Sequence, residues 1–402
     1  MSANSKILLY GLGKTNTSLF QRLREVAFMR VGSDNSEELR RIDEIFHWNP
    51  NVDALDDFDV VYVPPGISPN HFIHSHVNVR NELDFSLPLV AENAQIIGIT
   101  GTNGKSSLCK LMGDYLSSKG FKTVVVGNYG LPACTVIDQS LDYVIVELSS
   151  FQLYSMQEKV FDVSLVTGFE PDHLDWHPSL EHYRDSKFKL QKLTRGGNIW
   201  IPKGLEPWFD DYRIYSQSKT FQSSTFSKRI NNFTLYEQAE VLLKELGVEY
   251  QDLQDFDFEA LPHRREVVLT GSGMKCVNDS KSTTPGATIF ALSQSCESRI
   301  NLIIGGKLKG LSTVDFVNGL MPFEKRLEKV FIYGELATCK GSFSKFGSRL
   351  VTSEKWADLL RHLEQNKPWG DLLLLSPGCS SLDQFTSFEE RGQSFKDFVL
   401  RQ

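Results

Sequence analysis

The chain has 402 residues, a formal net charge of -7, and hydrophobic and charged shares of 41% and 23%. That composition is ordinary for a globular chain and leaves room for roughly two to four domains. The acidic balance argues against a general nucleic-acid binder, which carries a basic face, but leaves anionic small ligands open, because helix N-termini bind phosphate inside acidic proteins. Cys109, Cys134, Cys276, Cys296, Cys339 and Cys379 contain no C-x-x-C pair, so they read as reduced thiols rather than a zinc or redox site. The opening Met-Ser-Ala-Asn-Ser-Lys lacks a signal-peptide core, and no apolar run reaches the ~20 residues of a membrane span. A cytoplasmic protein with no membrane insertion is expected.

Three segments open as apolar strand, glycine turn and helix, the start of a parallel α/β unit. Lys6–Tyr10 runs into Gly11-Leu12-Gly13. Further on, Gln95–Thr100 runs into a glycine-rich loop, and Arg299–Ile304 into Gly305-Gly306. More strands are expected at Val60–Val63, Thr123–Val126, Tyr143–Val146, Val163–Thr167, Val330–Tyr333 and Leu372–Leu375. Apolar runs this continuous suit parallel strands covered on both faces. Boundaries near 92 and 265 predict three α/β domains, 1–92, 93–265 and 266–402, each on a mostly parallel sheet. The first and third are expected to be Rossmann-like and the second P-loop ATPase-like. Residues 203–260 are weakly patterned and their elements are not placed.

The strongest local signal is Gly98-Ile99-Thr100-Gly101-Thr102-Asn103-Gly104-Lys105-Ser106-Ser107. Its glycines let backbone N–H groups turn toward a polyphosphate. Lys105 can neutralise the β/γ oxygens and the Ser106 hydroxyl can ligate Mg²⁺. Gly98 and Gly104-Lys105-Ser106 keep the spacing of a phosphate loop, between a strand and a helix. Glu147 closes a predicted strand, where a parallel sheet delivers side chains to its carboxyl edge. With Ser106 it forms a hard-oxygen pair suited to Mg²⁺. By contrast, Gly11-Leu12-Gly13 is a weak fingerprint, with Asn16 in the place of a third glycine.

The stretch Thr100–Ser107 also resembles the ATP loop of the Mur ligases. Gly127-Asn128-Tyr129-Gly130 is similar to that family's G-N-I-G segment, Glu147–Leu153 to E-L-S-S-F-Q-L, and Asp172-His173-Leu174-Asp175 with Tyr183 and Lys187 to D-H-x-D…Y…K. Leu261–Glu266 and Asn278–Thr283 match L-P-H-R-x-E and N-D-S-K-A-T. Leu375–Gly392 resembles the C-terminal signature of the members that add D-glutamate. These matches keep their order from about residue 95 to 395.

The resemblance implies an ATP-dependent ligase that adds D-glutamate to a UDP-linked muramoyl-alanine precursor of peptidoglycan through an acyl phosphate. It implies two Mg²⁺ ions, held by Ser106, Glu147, His173 and Lys187, with Lys187 carrying a CO₂-derived carbamate. Carbamylation needs the neutral amine, so a partly buried lysine is favoured. Catalysis is expected from Lys105, Glu147, His173 and Lys187. ATP is expected at Gly101–Ser107, Asn232, Arg264 and Asp279, although Leu235 departs from the family's adenine-side N-Y-T-N segment. The precursor is expected near Thr15, Asp34, Asn35, Gly66, Asn128 and Ser149, and D-glutamate near Thr283, Lys309, Ser381, Leu382 and Phe388. The family's G-G-D-G-K-G is here Gly305-Gly306-Lys307-Leu308-Lys309-Gly310. A monomer is expected. A switch-type P-loop ATPase would keep Lys105 and Ser106 without needing Lys187, Lys309 and Ser381.

Overall fold

The computed structural model describes residues 5–24, 28–215, 233–271, 273–310, 312–367 and 370–402. Asn232 lies outside the described residues. Three sheets follow one another along the chain. The first joins β1 (Lys6–Tyr10), β2 (Phe28–Gly32), β3 (Val60–Tyr62) and β4 (Val79–Arg80) in the order β2-β1-β3-β4, all parallel.

The second sheet holds β5 (Gln95–Thr100), β6 (Thr123–Gly127), β7 (Tyr143–Glu147), β8 (Val163–Val166), β9 (Ile199–Pro202) and β10 (Arg213–Tyr215). Its order is β10-β9-β8-β5-β7-β6, again all parallel. The third holds β11 (Glu266–Leu269), β12 (Lys275–Asn278), β13 (Ile300–Gly305), β14 (Leu327–Tyr333), β15 (Leu350–Ser353) and β16 (Leu372–Gly378). Its order is β11-β12-β16-β13-β14-β15, and only the β11–β12 pair is antiparallel.

Both faces of each sheet are covered, which is why its inner strands read as unbroken apolar runs. In the second sheet, Ile96, Val144 and Val146 enter one buried cluster, while Ile97, Ile99 and Ile145 enter another on the opposite face. The same two-sided burial recurs in the first and third sheets. Every strand expected from sequence is present, with ends moved by at most three residues. β14 starts earlier, at Leu327, and β16 runs on to Gly378, while β8 stops at Val166, one residue before Thr167.

Residues 203–260 contribute β10 and the helix Phe233–Glu245. The described residues form two compact units, one of residues 5–171, 176–215 and 233–258, the other of 172–175 and 259–402. No helix of the described residues is long and apolar enough to cross a membrane.

Candidate active site

β5 is a central strand, and its carboxyl end opens into the phosphate loop before the helix Lys105–Ser118. Gly101 has φ +138°, and a Cβ there would lie 2.0 Å from Thr167 Oγ1. Only glycine lets the loop run that close to the end of β8. Gly104, the residue before the helix, is left-handed at φ +86°. Thr102 donates its N–H to Gly168 O at 3.0 Å, and its hydroxyl donates to Glu170 O and shares a hydrogen bond with Tyr183 Oη, both at 3.0 Å. Asn103 Nδ2 donates to Glu170 Oε2 at 3.2 Å. Ser106 is buried and Ser107 half-buried in the first helical turn.

Lys105 Nζ donates to Gly101 O at 2.7 Å and to Thr102 O at 3.1 Å. Lys187, on the helix Leu180–Phe188, is only 2% exposed and donates to the same Gly101 O at 2.8 Å. Its Nζ also sits 4.9 Å from the centre of the Tyr183 ring. Lys105, Lys187 and Tyr183 therefore meet at one loop.

Glu147 ends β7, is 1% exposed, and is gripped from β6. Gly127 has φ +101°, and a Cβ there would fall 2.4 Å from Glu147 O. Asn128 donates its N–H to that oxygen at 2.9 Å and its Nδ2 to Glu147 Oε1 at 2.6 Å. The other oxygen, Oε2, is buried with no hydrogen-bond partner among the described residues. A buried carboxylate oxygen left this way is costly unless a cation meets it, so the donor set fits a hard divalent ion.

Ser149 caps the helix Ser150–Ser155 and exchanges hydrogen bonds with Gln152. Its hydroxyl therefore shapes the loop after Glu147. His173 belongs with the second compact unit. It is left-handed at φ 55°, and its Nε2 lies 3.3 Å from Asp172 Oδ2.

At the end of β1, a cavity of about 450 Å³ is lined by Thr15, Asp34, Asn35 and Gly66, among others. Asp34 is clamped there. Tyr10 Oη donates to its Oδ1 at 2.6 Å, and His71 Nε2 lies 3.0 Å from its Oδ2. Burial and the Asp34 carboxylate push the Tyr10 phenol up, so it remains a donor. Asn16 fills the third-glycine place with a structural amide, donating to Gly11 O at 2.9 Å and Tyr62 O at 3.1 Å.

In the third sheet, β12, β16 and β13 are neighbours, and their carboxyl-end loops carry Thr283, Ser381 and Lys309. Open α/β sheets bind ligands at that edge. The loops are sewn together. Lys307 N donates to Ser380 O at 2.8 Å, Ser380 N to Lys307 O at 3.1 Å, and Gly378 N to Ser282 O at 2.9 Å. Lys309 Nζ lies 3.5 Å from Asp172 Oδ1, within the same compact unit. Ser381 is buried and Leu382 is exposed. Phe388 opens the helix Phe388–Leu400, with Lys281 Nζ 4.0 Å from its ring centre.

Arg264 is half-buried between His263 and Arg265, both left-handed. Asp279 is closed in. Its Oδ1 accepts from Arg265 N at 3.1 Å, and its Oδ2 from Ser282 Oγ at 2.5 Å and Ser376 Oγ at 2.9 Å. Burial pushes this carboxyl up to about 6.

Residues 99–271 match the Mur ligase middle domain. A Thermotoga maritima protein named UDP-N-acetylmuramoylalanine--D-glutamate ligase is 30% identical over 98% of both chains. A Francisella tularensis protein of the same name is 29% identical, over 99% of this chain and 96% of its own. The chain belongs to the Mur ligase family.

As a Mur ligase it is an ATP-dependent enzyme that forms amide bonds. Solved members share its fold at low identity. MurC from Thermotoga maritima superposes with a TM-score of 0.58 at 15% identity over 98% of both chains. MurF from the same organism, in complex with ADP, gives 0.60 at 13% over 85% of this chain and 88% of its own. Three features of this Mur ligase escaped sequence reading: the contact of Thr167 with Gly101, the Asp172 partner of Lys309, and the contacts of Arg391. Only its place in the C-terminal signature marked Arg391 beforehand.

Proposed function

We propose that this chain joins the amine of D-glutamate to the carboxylate of UDP-N-acetylmuramoyl-L-alanine, with ATP split to ADP and phosphate. The observation that carries this reading is the sewn set of loops after β12, β16 and β13. They bring a lysine and hydroxyl donors to one sheet edge, as an amino acid with two carboxylates requires. The near full-length relatives named for that activity support it.

The precursor carboxylate attacks the γ-phosphorus and ADP leaves, giving an acyl phosphate. The amine of D-glutamate then attacks the acyl carbon, loses a proton and expels phosphate. Lys105 holds the phosphates, aided by loop N–H groups and the helix N-terminus. Two Mg²⁺ ions would neutralise the charge of anion meeting anion. Ser106 and Glu147 would hold one, consistent with the unpartnered Glu147 Oε2. His173 and a carbamylated Lys187 would hold the other, and the deep burial of Lys187 supports that assignment. Arg264 and Asp279 serve the nucleotide, and Thr15, Asp34 and Gly66 the UDP of the precursor. Thr283, Lys309, Ser381 and Phe388 serve D-glutamate. The division into domains 1–92, 93–265 and 266–402, a monomeric state and a cytoplasmic location belong to the same reading.

Phosphate release measured with UDP-N-acetylmuramoyl-L-alanine and a panel of amino acids tests it. Turnover should require D-glutamate. Positional exchange of ¹⁸O within ATP should require the precursor but not the amino acid. Phosphate release that ignores the amino acid supplied would overturn the reading.

A further inference from the structure

The helix Phe388–Leu400 sends one side chain beneath the crevice loops of the third sheet. Arg391 is 0% exposed and is the bulkiest fully buried side chain of the described residues. Its guanidinium reaches four parts of the crevice. Nε donates to Ser280 Oγ at 2.9 Å and Nη2 to Ser280 O at 2.7 Å, after β12. Nη1 donates to Gly305 O at 3.5 Å at the end of β13, to Tyr333 Oη at 3.1 Å on β14, and to Cys379 O at 3.1 Å after β16. The loop over it is tight. A Cβ on Gly306 would lie 2.1 Å from Ser380 O and 3.2 Å from Arg391 Nη1.

All five acceptors are neutral, so dipoles rather than an anion meet the guanidinium charge. Burial pushes both the Tyr333 phenol and the Cys379 thiol up to about 12, so neither supplies a counter-charge at neutral pH. Asp383 acts on both Tyr333 and Cys379, and Glu335 on Cys379, so carboxylates share this part of the crevice and offset part of the positive potential that the buried guanidinium adds to it. Lys309, on the loop above, already shares its charge with Asp172. A dicarboxylic amino acid laid on these loops therefore gains a second source of positive potential from Arg391.

We propose that Arg391 is a positioning and specificity-determining residue of the amino-acid site: it locks three crevice loops into one bed and charges that bed for an acidic amino acid, without touching it. This inference rests on the D-glutamate reading given above. It assigns Arg391 to the amino-acid substrate and not to ATP.

The test compares wild type with Arg391→Lys, Arg391→Met and Tyr333→Phe in the full chain. Each is assayed for phosphate release with D-glutamate and with its neutral isostere D-glutamine, alongside the KM for ATP and the melting temperature. Arg391→Met should raise the D-glutamate KM by ~10-fold or more. Its D-glutamate to D-glutamine ratio in kcat/KM should fall, with the ATP KM within about twofold. Arg391→Lys should retain more of that ratio, because it keeps the charge while losing the fork. Tyr333→Phe loses one hydrogen bond and none of the charge, so its ratio should stay at the wild-type value. That variant remains informative if an arginine substitution does not fold, because a collapsed ratio in it would place the preference in loop packing and overturn the charge assignment. Parallel losses for ATP and both amino acids, with lowered melting temperature, would make Arg391 merely structural and overturn the inference. A wild type that ignores D-glutamate would overturn the underlying reading instead, and that result appears before any variant is made.

Discussion

Lys105 and Lys187 donate to one and the same acceptor, the carbonyl oxygen of Gly101, at 2.7 and 2.8 Å. Lys105 comes from the helix that follows the phosphate loop, and Lys187 from a helix 82 positions later. Two ammonium groups crowded on one oxygen repel each other, and that cost shrinks if either loses its charge or gains an anion. ATP would do this for Lys105, and carbamylation would do it for Lys187.

Carbamylation of Lys187 should be visible without any assay of turnover. In ¹³C-bicarbonate, wild type should give a carbamate carbon resonance that Lys187→Ala lacks. The alanine variant should lose ~10²-fold or more in activity, the scale of removing a group that stabilises developing charge, with partial return on adding small carboxylates. Near wild-type turnover in Lys187→Ala would remove this lysine from the metal site.

Gly101→Ala places a methyl 2.0 Å from Thr167 Oγ1, on a backbone at φ +138°. Strain of this kind costs about 1–3 kcal/mol, so the variant should melt several degrees lower and bind ATP at least ~10-fold more weakly. Calorimetric titration with ATP and thermal unfolding check both. Wild-type affinity in this variant would mean that the loop can move away from Thr167 at no cost.

Glu147→Gln removes a carboxylate with one unpartnered buried oxygen while leaving an acceptor for Asn128. Without Mg²⁺ its melting temperature should equal or exceed that of wild type, because an uncompensated buried charge has gone. The rise in melting temperature that Mg²⁺ with ATP gives wild type should be largely absent. If the variant keeps that rise, Glu147 does not hold the ion.

Asp279 should set a pH dependence of stability. Burial raises its carboxyl from 3.8 to about 6. A raised folded-state value stabilises the fold fully below the unfolded value, and that contribution is lost as pH climbs through about 6. The rise corresponds to about 3 kcal/mol. Asp279→Asn has no such titration, so its stability relative to wild type should improve steadily between pH 4 and 7. Denaturant unfolding at four pH values in that range measures the difference, and a flat profile would refute the assignment.

Much of this molecule was legible where chemistry and chain order coincide. The phosphate loop, Glu147 at a strand end and the third-sheet motifs occupy contiguous letters. Most central strands were readable because two covered faces demand unbroken apolar runs. Strands β2, β4, β9, β10, β11, β12 and β15 were not: they are short, residues such as Arg30, Pro202, Lys275 and Thr352 interrupt them, and they lie at sheet edges or, for β9 and β12, one place in from an edge. Distance along the chain hid the rest. Thr167 shapes Gly101 from the end of another strand, and Arg391 gathers Ser280, Gly305, Tyr333 and Cys379 from across the third sheet. No window of sequence contains those pairs.

The seam between Lys307 and Ser380 is made of main-chain atoms on both sides. Side chains at these positions can therefore differ without opening the crevice. This chain departs there from the G-G-D-G-K-G pattern it resembles, with Lys307 and Leu308 in the places of aspartate and glycine. The left-handed turn falls on Lys309, at φ 50°, rather than on Leu308, whose side chain packs against the core of the third sheet. With Lys307 and Leu308 in those two places, the main-chain seam to Ser380 is still made. A comparison that follows backbone pairing finds this crevice where a letter-by-letter match to the pattern would miss it.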